Sequence, residues 1–186
     1  MASDARRILV IDDEPAHAEV VAEALERRGY KCAVATTGPQ GASKIEQEDY
    51  DIVITDLVMD EVDGMQILKK AKEELPDVEV IIISGHGTIK QAVGAMRAGA
   101  YNYLTKPLDL DELRTVVDKC AEQIRLARTN IQLRQQLDER FGFEGVVGNS
   151  PQMRKVITTL KQIAPTSATV LIEGETGTGK ELVAKA

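Results

Sequence analysis

Five short apolar runs alternate with five longer amphipathic stretches along the first part of the chain. The runs are Ile8–Ile11, Cys32–Ala35, Ile52–Thr55, Val78–Ile83 and Tyr101–Leu104. The stretches with helical spacing are Pro15–Arg28, Gly38–Glu48, Gly64–Glu74, Thr88–Ala98 and Leu110 onward. This alternation predicts an α/β domain whose parallel sheet is covered on both faces. The connections that cross over between parallel strands are right-handed, which leaves few possible sheet topologies. Of these we predict the five-stranded, flavodoxin-like topology.

Composition and charge exclude several classes of protein. Hydrophobic residues make up 43% of the 186, which is enough for a core, and the net charge of -7 argues against a nucleic-acid clamp. Cys32 and Cys120 have no metal-type spacing, so we expect buried free thiols in a reducing compartment. The sequence shows no signal peptide and no apolar run of membrane-spanning length, so we expect a cytoplasmic protein with no membrane partner.

Polar residues follow four of the predicted strands where each strand ends. They are Asp12-Asp13, Asp56, Ser84 and Lys106-Pro107. Ligands of open α/β sheets bind at this edge, so these side chains should converge there. Crowded carboxylates repel one another unless a cation joins them, and oxygen ligands suit Mg²⁺. An aspartate can also act as a nucleophile toward phosphorus, with Lys106, Ser84 and the metal neutralising the charge on the transferred group.

The motifs around these residues resemble those of the response-regulator receiver family over about residues 6–122. The matching segments are Val10-Ile11-Asp12-Asp13-Glu14, Ile54-Thr55-Asp56-Leu57-Val58-Met59, Ile83-Ser84-Gly85-His86-Gly87 and Leu104-Thr105-Lys106-Pro107. The resemblance implies that Asp56 accepts a phosphoryl group from a sensor histidine kinase. It also implies a magnesium site made of Asp12, Asp13, Asp56 and the backbone carbonyl of Val58.

The same resemblance assigns the remaining site residues. Ser84 and Lys106 would contact the phosphoryl group, and Ser84 and Tyr103 would form the conformational switch. Taken alone, Asp12-Asp13 also fits the N-cap of the first helix. We assign no role to His17 or His86, and we expect the loop acids Asp60, Glu61 and Asp63 to be solvated rather than ligands.

The fifth helix is predicted to continue far beyond the receiver domain. No Gly or Pro occurs between Leu108 and Phe141, so we predict an extended helix and linker over 108–141. Apolar residues recur along it with alternating spacings of four and three, at Leu113, Val117, Cys120, Ile124, Ala127 and Ile131. This 113–131 stripe is typical of a coiled-coil seam and predicts a homodimer through the linker and the receiver faces. The alternative is a solvated, charged helix.

A glycine-rich loop follows an apolar run, Thr169–Ile172, that we predict to be a strand. Glycines let backbone N–H groups wrap a phosphate, and Lys180 would reach the terminal phosphates of a nucleotide. Glu181 stands where the general motif has the Mg²⁺-binding Ser or Thr. The predicted phosphate-binding residues are Gly174, Glu175, Thr176, Gly177, Thr178, Gly179, Lys180 and Glu181.

Residues 145–186 resemble the opening of the AAA+ ATPase domain of sigma-54-dependent activators. The matching segments are Gly148-Asn149-Ser150-Pro151-Gln152-Met153, Ile163-Ala164, Val170-Leu171-Ile172 and the loop with Glu181. The chain thus resembles an NtrC-like response regulator and looks like a fragment of one. The parent would use ATP and Mg²⁺, and would reach sigma-54 polymerase and DNA through domains outside this chain. We expect the fragment not to be an autonomous enzyme.

Two other functions remain open at this point. The chain could be a P-loop phosphotransferase, which would bind nucleotide by itself. It could instead be a receiver whose only output is dimerisation, in which case residues after about Gly142 would be dispensable.

Overall fold

The computed structural model describes residues 6–85, 87–140, 150–166 and 169–185. The chain divides into two compact units, residues 1–127 and 128–186. The first unit contains the predicted α/β domain.

The first unit is a five-stranded parallel sheet in the order β2-β1-β3-β4-β5. Its strands are β1 (Arg7–Ile11), β2 (Lys31–Ala35), β3 (Ile52–Asp56), β4 (Glu79–Ser84) and β5 (Asn102–Thr105). Its helices are α1 (Pro15–Glu26), α2 (Gly38–Gln47), α3 (Gly64–Glu74), α4 (Ile89–Arg97) and the first part of α5 (Leu110–Arg140), which continues into the second unit. The predicted flavodoxin-like fold is confirmed.

Each face of the sheet has its own hydrophobic core. Alternate residues of the strands, such as Val53 and Ile82, pack with α2, α3 and α4, while Ile54 and Ile81 pack with α1 and α5. Every residue of β3 is buried, and so is β4 after its first residue. Strands with both faces covered are apolar at successive positions, which explains the continuous runs in the sequence.

The loop after β3 is held tightly against the end of that strand. Asp63 caps α3 by accepting from the backbone N–H of Gln66, 2.8 Å away, and the Gln66 side chain accepts from the Asp63 backbone N–H. A β-carbon at Gly64 would lie 2.8 Å from the Cα of Leu57, so only glycine fits there. The capped helix therefore fixes the loop that leaves Asp56.

The two cysteines are free, but only Cys120 is fully buried. Cys32 is half-buried, in partial contrast to the prediction. Burial raises the pKa of each thiol to about 12. Both are therefore protonated near neutral pH, and we assign neither a chemical role.

The first part of the 113–131 stripe belongs to the core of the first unit. Leu113, Val117 and Cys120 are fully buried there and Ile124 is 5% exposed. Ile131, in contrast, is 54% exposed. The receiver core therefore covers the predicted coiled-coil seam up to Ile124, and pairing of the linker helix with a partner stays a prediction for the residues beyond it.

In the second unit the structure describes the end of α5 and two further helices. Ser150 caps α6 (Pro151–Ile163) by accepting from the Met153 N–H at 3.1 Å, and α7 spans Lys180–Lys185. The predicted strand Thr169–Ile172 is not formed. In the described part of the chain the only sheet is that of the first unit, so this run has no neighbouring strand to pair with.

None of the helices described by the structure combines the length and apolar character needed to cross a bilayer.

Candidate functional site

Three carboxylates meet at the carboxyl edge of the sheet. Asp12 and Asp13 follow β1, and Asp56 is the last residue of β3. One oxygen from each lies within 4.8 Å of the others. Asp12 and Asp56 are 5% and 6% exposed, whereas Asp13 is open to solvent. The sheet thus brings together the acids that the sequence placed at separate strand ends.

Lys106, which follows β5, places its ammonium group among these acids. Its Nζ donates to Asp12 Oδ2 at 3.0 Å and also to Asp56 Oδ2. Burial by itself lowers the pKa of Lys106. The hydrogen bonds to Asp56 and Asp12, and the negative charges of these two carboxylates, have the opposite and larger effect. The pKa of Lys106 is therefore raised above its usual value. Lys106 therefore stays charged, yet one ammonium group cannot neutralise three carboxylates.

Backbone amides hold the other oxygens of the two buried acids. The N–H of Val58 donates to Asp56 Oδ1 at 3.1 Å, and the N–H of Glu14 donates to Asp12 Oδ1 at 2.9 Å. Each carboxylate therefore has one oxygen fixed by the chain and one directed toward Lys106. This arrangement preorganises Asp56 Oδ2 toward the shared pocket.

The residues present fit a magnesium ion. Mg²⁺ prefers oxygen ligands, usually one or two carboxylates together with water, and the three clustered acids supply such ligands. The exposed side of the cluster, at Asp13, leaves room for water and phosphate oxygens. Among the described residues this is the one group of three or more acids, His or Cys that could hold a metal ion.

Ser84 ends β4 beside these residues and carries an unsatisfied hydroxyl. It is 1% exposed, and its Oγ has no hydrogen-bond partner in the described part of the chain. A buried hydroxyl without a partner costs free energy, and such groups occur where a ligand completes the bonding. Ser84 follows Ile83, which pairs in register with Asp56, so it lies at the same edge of the sheet.

Tyr103, on β5, carries a second buried hydroxyl that lacks a partner among the described residues. Its side chain packs beside the core that contains α3 and α4. Its neighbour across the loop is Gly87, where a β-carbon would meet the tyrosine ring. Gly87 was not predicted to contact Tyr103, because residue spacing in the sequence does not reveal this contact.

His17 also adjoins the site, although the sequence analysis assigned it no role. His17 lies in the first turn of α1, with its Nδ1 3.6 Å from Asp12 Oδ2 and 3.8 Å from Glu14 Oε2. The separation of three residues between Glu14 and His17 is the sequence feature that could have predicted that these two side chains lie close together. His86 lies outside the described residues. The loop acids Asp60, Glu61 and Asp63 are exposed to solvent, as predicted, and Asp63 also caps α3.

The glycine-rich loop forms a separate candidate site in the second unit. Gly177 and Gly179 have φ values of 86° and 81°, which favour glycine. Lys180 Nζ donates to the carbonyl oxygens of Gly174 and Glu175, at 2.8 and 2.6 Å. The loop therefore curls around the Lys180 side chain.

The first part of the chain, residues 8–118, matches the family model described as response regulator receiver domain. Residues 146–186 match the model described as sigma-54 interaction domain. Their order along the chain agrees with the motifs: the first match contains the acid cluster and the second contains the glycine-rich loop.

Relatives and solved structures match this chain over one or both of these parts. The transcriptional regulatory protein ZraR of Klebsiella oxytoca is 37% identical over 96% of this chain and 39% of its own length. The crystal structure of NtrX from Brucella abortus in complex with ADP has a TM-score of 0.67 at 34% identity, over 97% of this chain and 40% of that one. The beryllofluoride-activated NtrC4 receiver domain dimer has a TM-score of 0.60 at 32% identity, over 63% of this chain and 98% of that one. This chain spans about two fifths of the two longer proteins.

Proposed function

The chain belongs to the response regulator receiver family, and on that premise we propose that Asp56 accepts a phosphoryl group from a sensor histidine kinase. The observation that carries the proposal is the setting of this carboxylate. It is buried, one oxygen is held by the Val58 N–H, and the other faces Lys106 beside two further acids. A carboxylate that only capped a turn would need neither the lysine nor the two further acids beside it.

The transfer uses the side chains in separate roles. An Asp56 carboxylate oxygen forms a bond to phosphorus while the bond from phosphorus to the donor's histidine nitrogen breaks. The nitrogen keeps the electron pair and is left as neutral imidazole after protonation. Lys106 balances charge on the phosphoryl oxygens, and the unpartnered Ser84 hydroxyl donates a hydrogen bond to one of them.

We assign Asp12, Asp13, Asp56 and the Val58 carbonyl as the residues that hold Mg²⁺. When bound, the ion supplies positive charge close to the acceptor oxygen and the phosphoryl group. The excess of carboxylates over ammonium groups in the cluster supports this assignment, because the acids otherwise repel one another and the incoming phosphoryl group.

Ser84 and Tyr103 are the proposed switch. When Ser84 turns its hydroxyl toward a phosphoryl group on Asp56, the packing between β4 and β5 changes, and Tyr103 lies in that part of the domain. Tyr103 has its own unsatisfied hydroxyl, so its buried position is only weakly favoured. Phosphorylation would therefore shift its population between buried and exposed positions.

The output proposed for the parent protein is control of sigma-54-dependent transcription in the cytoplasm. Supporting it are the sigma-54 interaction match over 146–186 and the curled loop at Lys180. We propose a receiver over 6–122, a linker helix over 108–141 and the beginning of an ATPase domain over 145–186. ATP hydrolysis, contact with sigma-54 polymerase and DNA binding would belong to the whole protein. NtrX has been crystallised with ATP and with ADP, which supports a nucleotide at the glycine-rich loop.

We further propose a homodimer through the receiver and the linker helix. The NtrC4 receiver domain forms a dimer, and α5 carries apolar side chains exposed beyond the receiver core. Phosphorylation would act on this dimer through β5, because Leu104, next to Tyr103, packs in the same core as the receiver part of α5.

Acetyl phosphate and Mg²⁺ provide the direct test. We expect intact-mass spectrometry to show one added phosphoryl group on the wild-type chain and none on Asp56→Asn. Asp60→Asn, a loop acid outside the cluster, is the matched control and should be labelled normally. Equal labelling of Asp56→Asn and wild type would overturn the assignment.

A further inference from the structure

The β3–α3 loop, residues 57–63, leaves the phosphoacceptor strand and is fixed at two points within the first unit. The backbone N–H of Gly64 donates to the carbonyl of Leu57 at 3.0 Å, which closes the loop at its base. The side chain of Met59 is buried in the core that also contains α2, α3 and α4. The part of the loop after Met59 must be held by other contacts.

Glu61 has a backbone conformation that few side chains adopt. Its φ is 64°, in the left-handed region, and the N–H of Val62 donates to the carbonyl of Asp60 at 2.7 Å. A hydrogen bond between residues two apart, with positive φ at the residue between them, is a γ-turn of the strained type. Such strain persists only where the surrounding structure holds it in place.

The first turn of α2 packs against the residue that follows this turn. A β-carbon at Gly38 would lie 2.8 Å from Cβ and 2.9 Å from the carbonyl carbon of Val62, and closer still to the carbonyl oxygen. Gly38 is buried and is not in the left-handed region, so the need for glycine there arises from space. Any side chain at this position would have to move the backbone of Val62.

The same loop carries the two backbone groups of Val58 that belong to the site. Its N–H donates to Asp56 Oδ1 at 3.1 Å, and its carbonyl is one of the proposed magnesium ligands. The side chain of Val58 is 64% exposed, so packing of that side chain does not fix the backbone there. Because Mg²⁺ requires near-ideal octahedral geometry, a small movement of this carbonyl would weaken binding.

We propose that Gly38 is a positioning residue for the magnesium site. By leaving room for the Val62 carbonyl against the first turn of α2, it keeps the γ-turn at Glu61 closed and the Val58 backbone in place. The proposal rests on the proposed function, because it takes the Val58 carbonyl as a ligand. It adds to the site a residue of α2, a helix that contributes no carboxylate to the acid cluster.

Gly38→Ala tests the contact by isothermal titration calorimetry with Mg²⁺. Alanine favours a helix more than glycine does, so without the contact this change would leave the site unaffected. We expect the Kd for Mg²⁺ to rise at least about tenfold. Gly94→Ala changes a helical glycine whose added carbon meets nothing within 4 Å, and it should bind Mg²⁺ as tightly as the wild type.

Val117→Ala distinguishes positioning from a general loss of stability. Val117 is fully buried in the core on the other face of the sheet, so its truncation destabilises the domain without reaching the loop. Its Kd for Mg²⁺ should stay within about twofold of the wild type. A Kd that rises as much in Val117→Ala as in Gly38→Ala would overturn the positioning role.

Hydrogen exchange of the metal-free chain gives a reading that does not depend on Mg²⁺. In Gly38→Ala, the backbone amides of residues 58–63 should exchange at least about fivefold faster than in the wild type, with those of β4 unchanged. Equal exchange of the loop in the two chains would show that Gly38 does not hold the turn.

A pair of substitutions at Glu61 tests the turn independently of α2. Glycine and proline both remove the carboxylate, but glycine adopts positive φ readily and proline is fixed at about −65°. Glu61→Gly should bind Mg²⁺ within about twofold of the wild type, and Glu61→Pro at least about tenfold more weakly. Equal affinities in these two variants would contradict the proposal, because the turn would then not govern binding.

Asp13→Asn separates this inference from the proposed function. If the wild type binds Mg²⁺ and Asp13→Asn binds it weakly, the metal site stands, and an unchanged Kd in Gly38→Ala then overturns the positioning role alone. If the wild type binds no Mg²⁺, the proposed metal site itself fails, and the exchange of residues 58–63 still decides whether Gly38 holds the loop.

Discussion

Gly87 and the ring of Tyr103 lie so close that no side chain fits between them. A β-carbon at residue 87 would lie 2.8 Å from Cε1 and 3.0 Å from Cζ of Tyr103, and closer still to its hydroxyl oxygen. Gly87 is not in the left-handed region, so the need for glycine there arises from space and not from backbone conformation. The buried position of Tyr103 thus depends on a residue in the loop before α4.

Gly87→Ala should therefore move Tyr103 toward solvent without phosphorylation. The displaced hydroxyl gains water as a partner, which makes the outward position accessible. Nuclear magnetic resonance of ¹³C-tyrosine should show the change in the Tyr103 ring signals, and phosphorylation should then alter them little further. Gly94→Ala is the matched control, since a β-carbon there meets nothing within 4 Å. Ring signals that match the wild type in Gly87→Ala would refute the steric role.

Asp13→Asn should weaken Mg²⁺ binding by about tenfold or more, which corresponds to about 1.4 kcal/mol. The change removes one of three clustered carboxylates, and because Asp13 is exposed it should not disturb the core. Isothermal titration calorimetry measures the affinity. Asp60→Asn removes an equal charge from the neighbouring loop, so a comparable loss in that variant would mean that general charge, and not ligation, governs binding.

Ile124→Ala and Ile131→Ala should differ sharply in stability. Ile124 is 5% exposed in the core, so its truncation should lower the free energy of unfolding by about 2–5 kcal/mol. Ile131 is 54% exposed, and its truncation should change the free energy by no more than about 0.5 kcal/mol. Urea denaturation followed by circular dichroism provides both values. Similar losses in the two variants would contradict the burial of α5 described above.

Backbone amides of residues 170–172 should exchange with deuterium at least about a thousandfold faster than those of β4. Val170 and Leu171 are 46% and 81% exposed and belong to no strand, whereas β4 is paired on both sides within the sheet. Hydrogen-exchange mass spectrometry compares the two segments in one sample. Equal protection would show that the chain itself supplies a pairing partner for this run.

Where the sequence predictions succeeded, they relied on local pattern and on one property of parallel sheets. The apolar runs predicted all five strands of the receiver unit, to within one residue at each end. Asp12, Asp56 and Lys106 could be predicted to converge because the carboxyl ends of parallel strands share one edge. The roles of these residues remain proposals, but their proximity followed from topology.

The failures concern contacts that the periodicity of the sequence does not reveal. The run Thr169–Ile172 has the composition of a strand but no neighbour to pair with in the described structure. His17 was passed over because its distance from Asp12 depends on how α1 sits against the strand end. The contact between Gly87 and Tyr103 joins a loop to a strand 16 positions later, and no periodicity connects them.

The sequence by itself determined the order of elements, the chemistry at the strand ends and the length of α5. These depend on side-chain periodicity and on the absence of helix breakers, which are properties of neighbouring residues. Only the tertiary structure decided which side of α5 is used by the receiver and which remains available. α5 has apolar residues on more than one side, and their spacing alone does not show which side the sheet will cover. Burial of Val117 and Ile124 against the sheet answers that question, because a side chain packed in a core cannot also contact a partner.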